Sequence, residues 1–159
     1  MRGTALLLTL LAAAQSPAVD VTVTPASVAR VSGAGTGVDT VITNGFAGAA
    51  IVAGQSVYRD ANGVWLLTDA NLSAAAGVAR GIALNSAPAA GQPVAVATGG
   101  TMNPGFTATV GKIYVASATA GGIAPVEDLA SGWRTGVLCV GLTSTSVGLV
   151  LYSSGVAVP

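Results

Sequence analysis

Histidine is missing from this 159-residue sequence, and cysteine occurs once, as Cys139. Without histidine the usual general base is gone, and with it every Ser-His and Cys-His nucleophile pair. One thiol permits no intrachain disulfide, and imidazole or thiolate metal sites within one chain are excluded. Cys139 stands in Val137-Leu138-Cys139-Val140, an apolar run that suits a buried, inert thiol. Charge is scarce too: 8% of residues are charged, against about 25% in an average soluble domain. Six basic and six acidic side chains cancel, so nothing concentrates a polyanion and nucleic-acid binding through phosphates has no basis. So weakly charged a surface protects a free monomer poorly. It must be coated with the 28 serines and threonines, buried against partners, or both.

What remains is glycine, alanine, valine and a repeat. Gly54–Leu84 holds Val57-Tyr58-Arg59-Asp60, the turn Ala61-Asn62-Gly63, and Val64-Trp65-Leu66-Leu67. Asn-Gly is a strong hairpin signal because both residues tolerate positive φ. The pattern returns as Gly111-Lys112-Ile113-Tyr114-Val115, Ala120-Gly121-Gly122 and Ile123-Ala124-Pro125. Matching Gly54 with Gly111, Gly63 with Gly122, and Gly81 with Gly141 gives spacings of 57, 59 and 60 residues. Tyr58 and Tyr114 then occupy corresponding strand positions. Val94–Thr98 and Val147–Tyr152 close the two copies, and Asn103-Pro104-Gly105 turns between them. Leu72–Ala79, interrupted by Gly77, reads as a single turn or coil. Short strands at this spacing predict an all-β fold, a small barrel or sandwich built from two imperfect copies of a strand–hairpin–strand unit. Closure would remove edges that so uncharged a sheet cannot defend.

The expected organisation is an N-terminal arm and linker over 1–50 and a duplicated β-barrel module over 51–159. Met1–Ala14, MRGTALLLTLLAAA, is too short to span a bilayer, which needs about 20 apolar residues. It resembles a secretory signal, with Ala12-Ala13-Ala14 as small residues for cleavage. Its leucines and alanines also suit an uncleaved docking arm, with Leu6, Leu7, Leu10 and Leu11 lying on another chain, and that is the reading taken forward. Extended strands are expected over 19–24, bracketed by Pro17 and Pro25, and over 38–43, followed by a turn at Asn44-Gly45. Gly33-Ala34-Gly35-Thr36-Gly37 has neither the lysine nor the helix of a phosphate loop and reads as a flexible linker.

Candidate chemistry is thin. Asp60 and Asp69 flank a hairpin, and Glu127-Asp128 are neighbours in a turn, so no pair straddles a substrate bond as glycoside hydrolysis requires. Asp60, Asn62 and Asp69 could offer oxygens to Ca²⁺, but the same spacing makes an ordinary turn. Lys112 with Ser117 is a conceivable nucleophile pair, though Lys112 stands at a strand start. No enzyme, cofactor or metal is expected. Trp133-Arg134 has no counterpart in the first copy, and this pair of residue types is enriched at interface hot spots.

The runs GQSVYRDANGVW, GIALNSAPAAGQPVAVATGG, VGKIYVASATAGGIAP and VGLTSTS, over Gly54–Tyr152, resemble a family of small β-rich structural proteins of tailed bacteriophages, the capsid cement or head-decoration (head-fibre-like) proteins. Ala90–Val96 and Ala118–Pro125 carry the likeness most specifically. The resemblance implies a non-enzymatic module, often a trimer, bound outside the capsid to the major capsid protein and located on the virion. The N-terminal third departs from that pattern, leaving shell, fibre base or tail open. The rival from another class is an exported carbohydrate-binding or adhesin module, with Met1–Ala14 as its signal and Trp65, Trp133 or Tyr152 stacking on sugar.

Overall fold

The computed structural model describes residues 19–32 and 38–159, and within them the chain is almost wholly β. Eleven strands are described: β1 (Val28–Arg30), β2 (Val41–Phe46), β3 (Ser56–Arg59), β4 (Trp65–Leu67), β5 (Gly81–Ala83), β6 (Pro93–Gly99), β7 (Thr101–Pro104), β8 (Ile113–Ala116), β9 (Ile123–Pro125), β10 (Arg134–Thr143) and β11 (Ser146–Ala157). Two 3₁₀ turns, Pro25–Ser27 and Val126–Asp128, interrupt them. The strands form two antiparallel sheets, ordered β2-β6-β5-β3-β4 and β1-β7-β11-β10-β8-β9. Without β1, the second order is the first one written five strands later. Each unit therefore runs first, fifth, fourth, second, third, and the sequence repeat is a repeat of topology.

The ladders fix the correspondence residue by residue. Val57 faces Gly81 in the first unit, and Tyr114 faces Cys139 in the second. Ala83 faces Val96 as Gly141 faces Val147. Thr43 faces Val96 as Met102 faces Val147. These rungs correct the matching made on residue identity. Tyr114 is the counterpart of Val57 rather than of Tyr58, and Cys139 rather than Gly141 is the counterpart of Gly81. The positive-φ glycine two residues before the second hairpin strand is Gly63 (φ 82°) in one unit and Gly121 (φ 74°), not Gly122, in the other. A slip of one residue moves every side chain to the opposite face, and shared tyrosines are a poor guide against that rule.

The correspondence extends to the interior. Val57, Trp65, Ala83 and Val96 make the first core with Ala47, Ile51, Ala87 and Val94. Tyr114, Ile123 and Val147, their counterparts, lie in the second core with Met102, Phe106, Ala108, Leu138 and Cys139. Ile82 and Ala97, adjacent in sequence to Ala83 and Val96, belong to this second core. Strand alternation thus lets the back of the first sheet close the second unit. Each fully buried aliphatic side chain contributes about 1.5–3 kcal/mol. Tyr114 keeps its polar end satisfied, its hydroxyl accepting from the Thr109 N–H at 2.9 Å, with the Phe106 ring centroid 5.0 Å away.

A polar seam also joins the units. Ser56 and Thr68, both buried, share a hydroxyl–hydroxyl hydrogen bond, and the Ser56 hydroxyl donates to the Gly122 carbonyl at 3.0 Å. The Ser56 N–H donates to the Gly121 carbonyl at 2.9 Å, and the Gly121 N–H to the Thr68 carbonyl at 2.7 Å. The first hairpin is therefore bonded to the turn of the second.

Upstream of residue 51 the structure differs from an arm on a separate module, because each sheet takes an edge strand from there. Residues 19–24 form no ladder. Their backbone is tied to the second unit through Val21 N–H to Ile123 O at 2.8 Å and Thr24 N–H to Gly105 O at 2.7 Å. The strand expected over 38–43 runs over Val41–Phe46, so Asn44-Gly45 lies inside it instead of turning. Gly45 is there because Trp65 packs against it, and glycine within a strand marks such close approach. The hairpin turn forms as expected, with Gly63 N–H donating to Asp60 O at 3.1 Å. Leu72–Ala79 is a series of turns, held by Gly77 N–H to Ser73 O at 2.9 Å. Met1–Ala14, with Leu6, Leu7, Leu10 and Leu11, and the Gly33–Gly37 linker lie outside the described residues.

Candidate interaction surface

The carboxylates and the lysine singled out from sequence are occupied within the fold. Asp60 Oδ1 accepts from the N–H groups of Asn62 (2.9 Å) and Val64 (3.0 Å), and Oδ2 accepts from the Asn62 amide at 3.0 Å. These bonds, that from Val64 foremost, hold its pKa below the ordinary aspartate value. Asp69 Oδ1 caps the N–H of Asn71 at 3.2 Å. Lys112 pairs with Glu127 at 3.3 Å, and the Ser117 hydroxyl accepts from Thr119 N–H at 3.0 Å. Among the described residues no three of His, Cys, Asp and Glu gather to hold a metal. Cys139 is fully buried, and burial pushes its thiol up to about 12.

Trp133 is not a surface anchor. Its residue is 6% exposed, packed with Ala70, Val115 and Ala124, and with Val126 and Leu129 against that cluster. The chain is fastened on both sides of it: Gly132 N–H donates to Val158 O at 2.9 Å, and Arg134 N–H to Ala70 O at 2.8 Å. Arg134 reaches the Gly155 carbonyl at 3.4 Å, so the expected Trp-Arg hot spot is an internal fastening. Tryptophan's area favours an interface and a small core equally, and the sequence could not separate the two.

The apolar surface lies beside it, on the long β10–β11 ribbon. Val137 pairs with Tyr152 and Cys139 with Leu149, so Val150 and Leu151 together oppose Leu138. Leu151 takes up this bulge with φ 50°, a left-handed conformation that is uncommon outside glycine, asparagine and aspartate. Bulges bend the strand and re-aim its side chains. Just beyond this one Tyr152 is 63% exposed, and Val150 within the bulge and Val156 further along the strand are exposed too. Under the ribbon opens a cavity of about 200 Å³ lined by Val115, Val126, Leu129, Gly136, Val137, Tyr152 and Ser154. Trp133 lies in the cluster that shares Val115, Val126 and Leu129 with this cavity. No charged side chain lines it. A second exposed apolar stretch is β2, with Val41, Ile42 and Phe46.

Arrangements of this kind suit burial against another protein surface. Exposed apolar groups next to a preformed apolar recess mark interaction sites. Trp65 is as buried as Trp133, at 2% exposed, so of the three aromatics considered for stacking on sugar only Tyr152 is presented to solvent. No helix among the described residues is long and apolar enough to cross a membrane. Comparison of the chain with protein-family models, with curated proteins and with solved structures returns no match in any of the three.

Proposed function

We propose that this chain is a non-enzymatic structural protein of a tailed bacteriophage, a cement or decoration module bound to the outside of the capsid. The observation that carries the reading is the row of exposed apolar side chains along β11, Val150, Tyr152 and Val156, with the apolar cavity that Tyr152 lines, on a chain with 8% charged residues. The partner is the major capsid protein, met as a homo-oligomer, with the threefold order implied by the resemblance. Each contact of such a module is small. An oligomer engaging several shell subunits at once gains through effective concentration. The N-terminal leucines, Leu6, Leu7, Leu10 and Leu11, extend the contact onto neighbouring chains.

Burial of both tryptophans weighs against the carbohydrate-binding alternative, which is left with a single exposed ring. Co-sedimentation of the purified chain with undecorated shells tests the proposal, with a glycan-binding screen alongside. Saturable attachment to shells that falls on Tyr152→Lys supports the reading. Saturable binding to a glycan with none to shells defeats it.

A further inference from the structure

Traced backwards from β1, the N-terminal chain follows a set course over the second unit. Thr24 N–H donates to Gly105 O at 2.7 Å and Val21 N–H to Ile123 O at 2.8 Å. Val19 N–H then donates to Asp128 Oδ2 at 3.2 Å. The chain thus passes from the end of β7, past β9, to the 3₁₀ turn Val126–Asp128. Leu129 N–H closes that turn on Val126 O at 3.2 Å, and both residues line the apolar cavity of about 200 Å³ beside β10 and β11. Residues 1–18 therefore lead off from the turn that walls this cavity. Val126, Leu129 and Val137 are only half-buried and Tyr152 is exposed, so part of the apolar lining faces solvent. Its volume falls short of the ~300–1,000 Å³ of a small-molecule pocket and suits one or two side chains of a polypeptide.

We propose that the leucine run of this same chain, within Leu6–Leu11, seats in the cavity. Residues 1–18 carry five leucines, all between positions 6 and 11, and one charged side chain, Arg2. The lining matches them: Val115, Val126, Leu129, Val137 and Tyr152, with no charge. A leucine therefore enters without stripping water from an ion. Seven uncharged residues separate Leu11 from Val19. Eight chain steps of about 3.3–3.6 Å reach at most roughly 28 Å, ample for a cavity walled by the turn that holds Val19. So short a tether gives the run an effective concentration on the order of millimolar, an advantage that no free partner has. The cavity admits one or two leucines, and the others stay available to neighbouring chains. The contact lies within one chain and does not depend on what the exposed row along β11 binds.

Disulfide trapping in the full chain, without shells, tests this. Ala12→Cys sets a thiol next to the leucines and Ser154→Cys one at the cavity wall, leaving every apolar group of the seat in place. Cys139 is shielded by burial. Val52→Cys replaces Ser154→Cys as the control. Val52 is exposed and stands two residues from Gly54, which Val23 approaches closely, so an unseated run could meet it as well. Under mild oxidation Ala12→Cys/Ser154→Cys is expected to close within one chain about tenfold faster than Ala12→Cys/Val52→Cys, because a seated run raises the effective concentration at one site only. Adding Leu6→Ser, Leu7→Ser, Leu8→Ser, Leu10→Ser and Leu11→Ser together should bring the two rates level. Equal rates in the parent pairs, a preference that survives the serine changes, or N-terminal mass spectrometry showing a start near Gln15 would each overturn the proposal. Cross-linking between chains rather than within one would also overturn it, and would place the run in the cavity of a second copy. Shell binding is measured apart from these rates, so either result can fail without the other.

Discussion

Trp65 rests against Gly45: a Cβ built on that glycine would stand 2.7 Å from the indole Nε1 and 2.9 Å from Cδ1. A residue in β2 and a residue in β4, at opposite edges of one sheet, thus touch across its face and curl the sheet over its own core. Gly45→Ala forces the indole to move in a packed interior, and overpacking of this kind costs about 1–3 kcal/mol. Urea unfolding of the variant, followed by tryptophan fluorescence, measures the loss. A variant as stable as its parent would mean that the indole yields freely.

The hairpin turn gives a second expectation. Gly63 has φ 82°, where a β-branched residue is strained and asparagine is tolerated. Gly63→Val should lower stability by about 1 kcal/mol or more, with Gly63→Asn losing much less. Thermal denaturation of the two side by side separates backbone strain from loss of a contact.

How far this fold could be read from residues alone differs from feature to feature. The hairpins and the duplication were legible because turn chemistry is largely local: Asn62-Gly63 and Ala120-Gly121-Gly122 each stand between two short apolar runs. The pairing of Val57 with Gly81, and so the true register of the repeat, was not. It depends on which face meets which core, and that is settled by packing between distant segments. Gly45 illustrates the same limit, since Asn-Gly signals a turn until an indole from another strand occupies the space above it. Trp133 was placed at the surface for a related reason, with Tyr152 as the contrast. Both are amphipathic rings near the end of the chain, and a bulge at Leu151, invisible in sequence, exposes one while the cluster around Val115 buries the other.

Thr68 supports Ser56, whose hydroxyl reaches the second unit at the Gly122 carbonyl, and a single methyl can probe that support. Thr68→Val keeps the shape but leaves the buried Ser56 hydroxyl without its partner. An unsatisfied buried hydroxyl costs about 1–3 kcal/mol, moderated here because Ser56 retains the Gly122 carbonyl. Unfolding of Thr68→Val and of the double variant Ser56→Ala/Thr68→Val decides it. The double variant should recover part of the loss.

Asp60 gives the turn a pH dependence. Its folded pKa is lowered, first by the Val64 N–H and then by Asn62. A depressed carboxylate favours the folded state above the unfolded pKa of about 4, and that contribution is lost as pH falls through the folded value. Protection of the Asn62 and Val64 amides, taken as exchange relative to the intrinsic rate at each pH, should therefore fall on acidification. In Asp60→Asn that protection should stay level over the same range, and equal acid sensitivity in both proteins would exclude Asp60 as the source.

Attachment through the ribbon face should behave as a contact between weakly charged surfaces. Ionic strength weakens charge–charge attraction steeply and apolar burial hardly at all. Val150, Tyr152 and Val156 are uncharged and exposed, and no charged side chain lines the adjoining cavity. Binding to undecorated shells should therefore persist from low salt to molar salt. Tyr152→Lys removes the ring and sets an ammonium where desolvation has no partner to offset it. Since burying one large apolar side chain contributes about 1.5–3 kcal/mol, the variant should bind at least tenfold more weakly. That deficit should remain at high salt, because lost burial is not screened. Co-sedimentation of parent and variant at both salt concentrations provides the four values needed. Binding of the parent chain that collapses at moderate salt would place the attachment on charged residues elsewhere and remove the ribbon face from it.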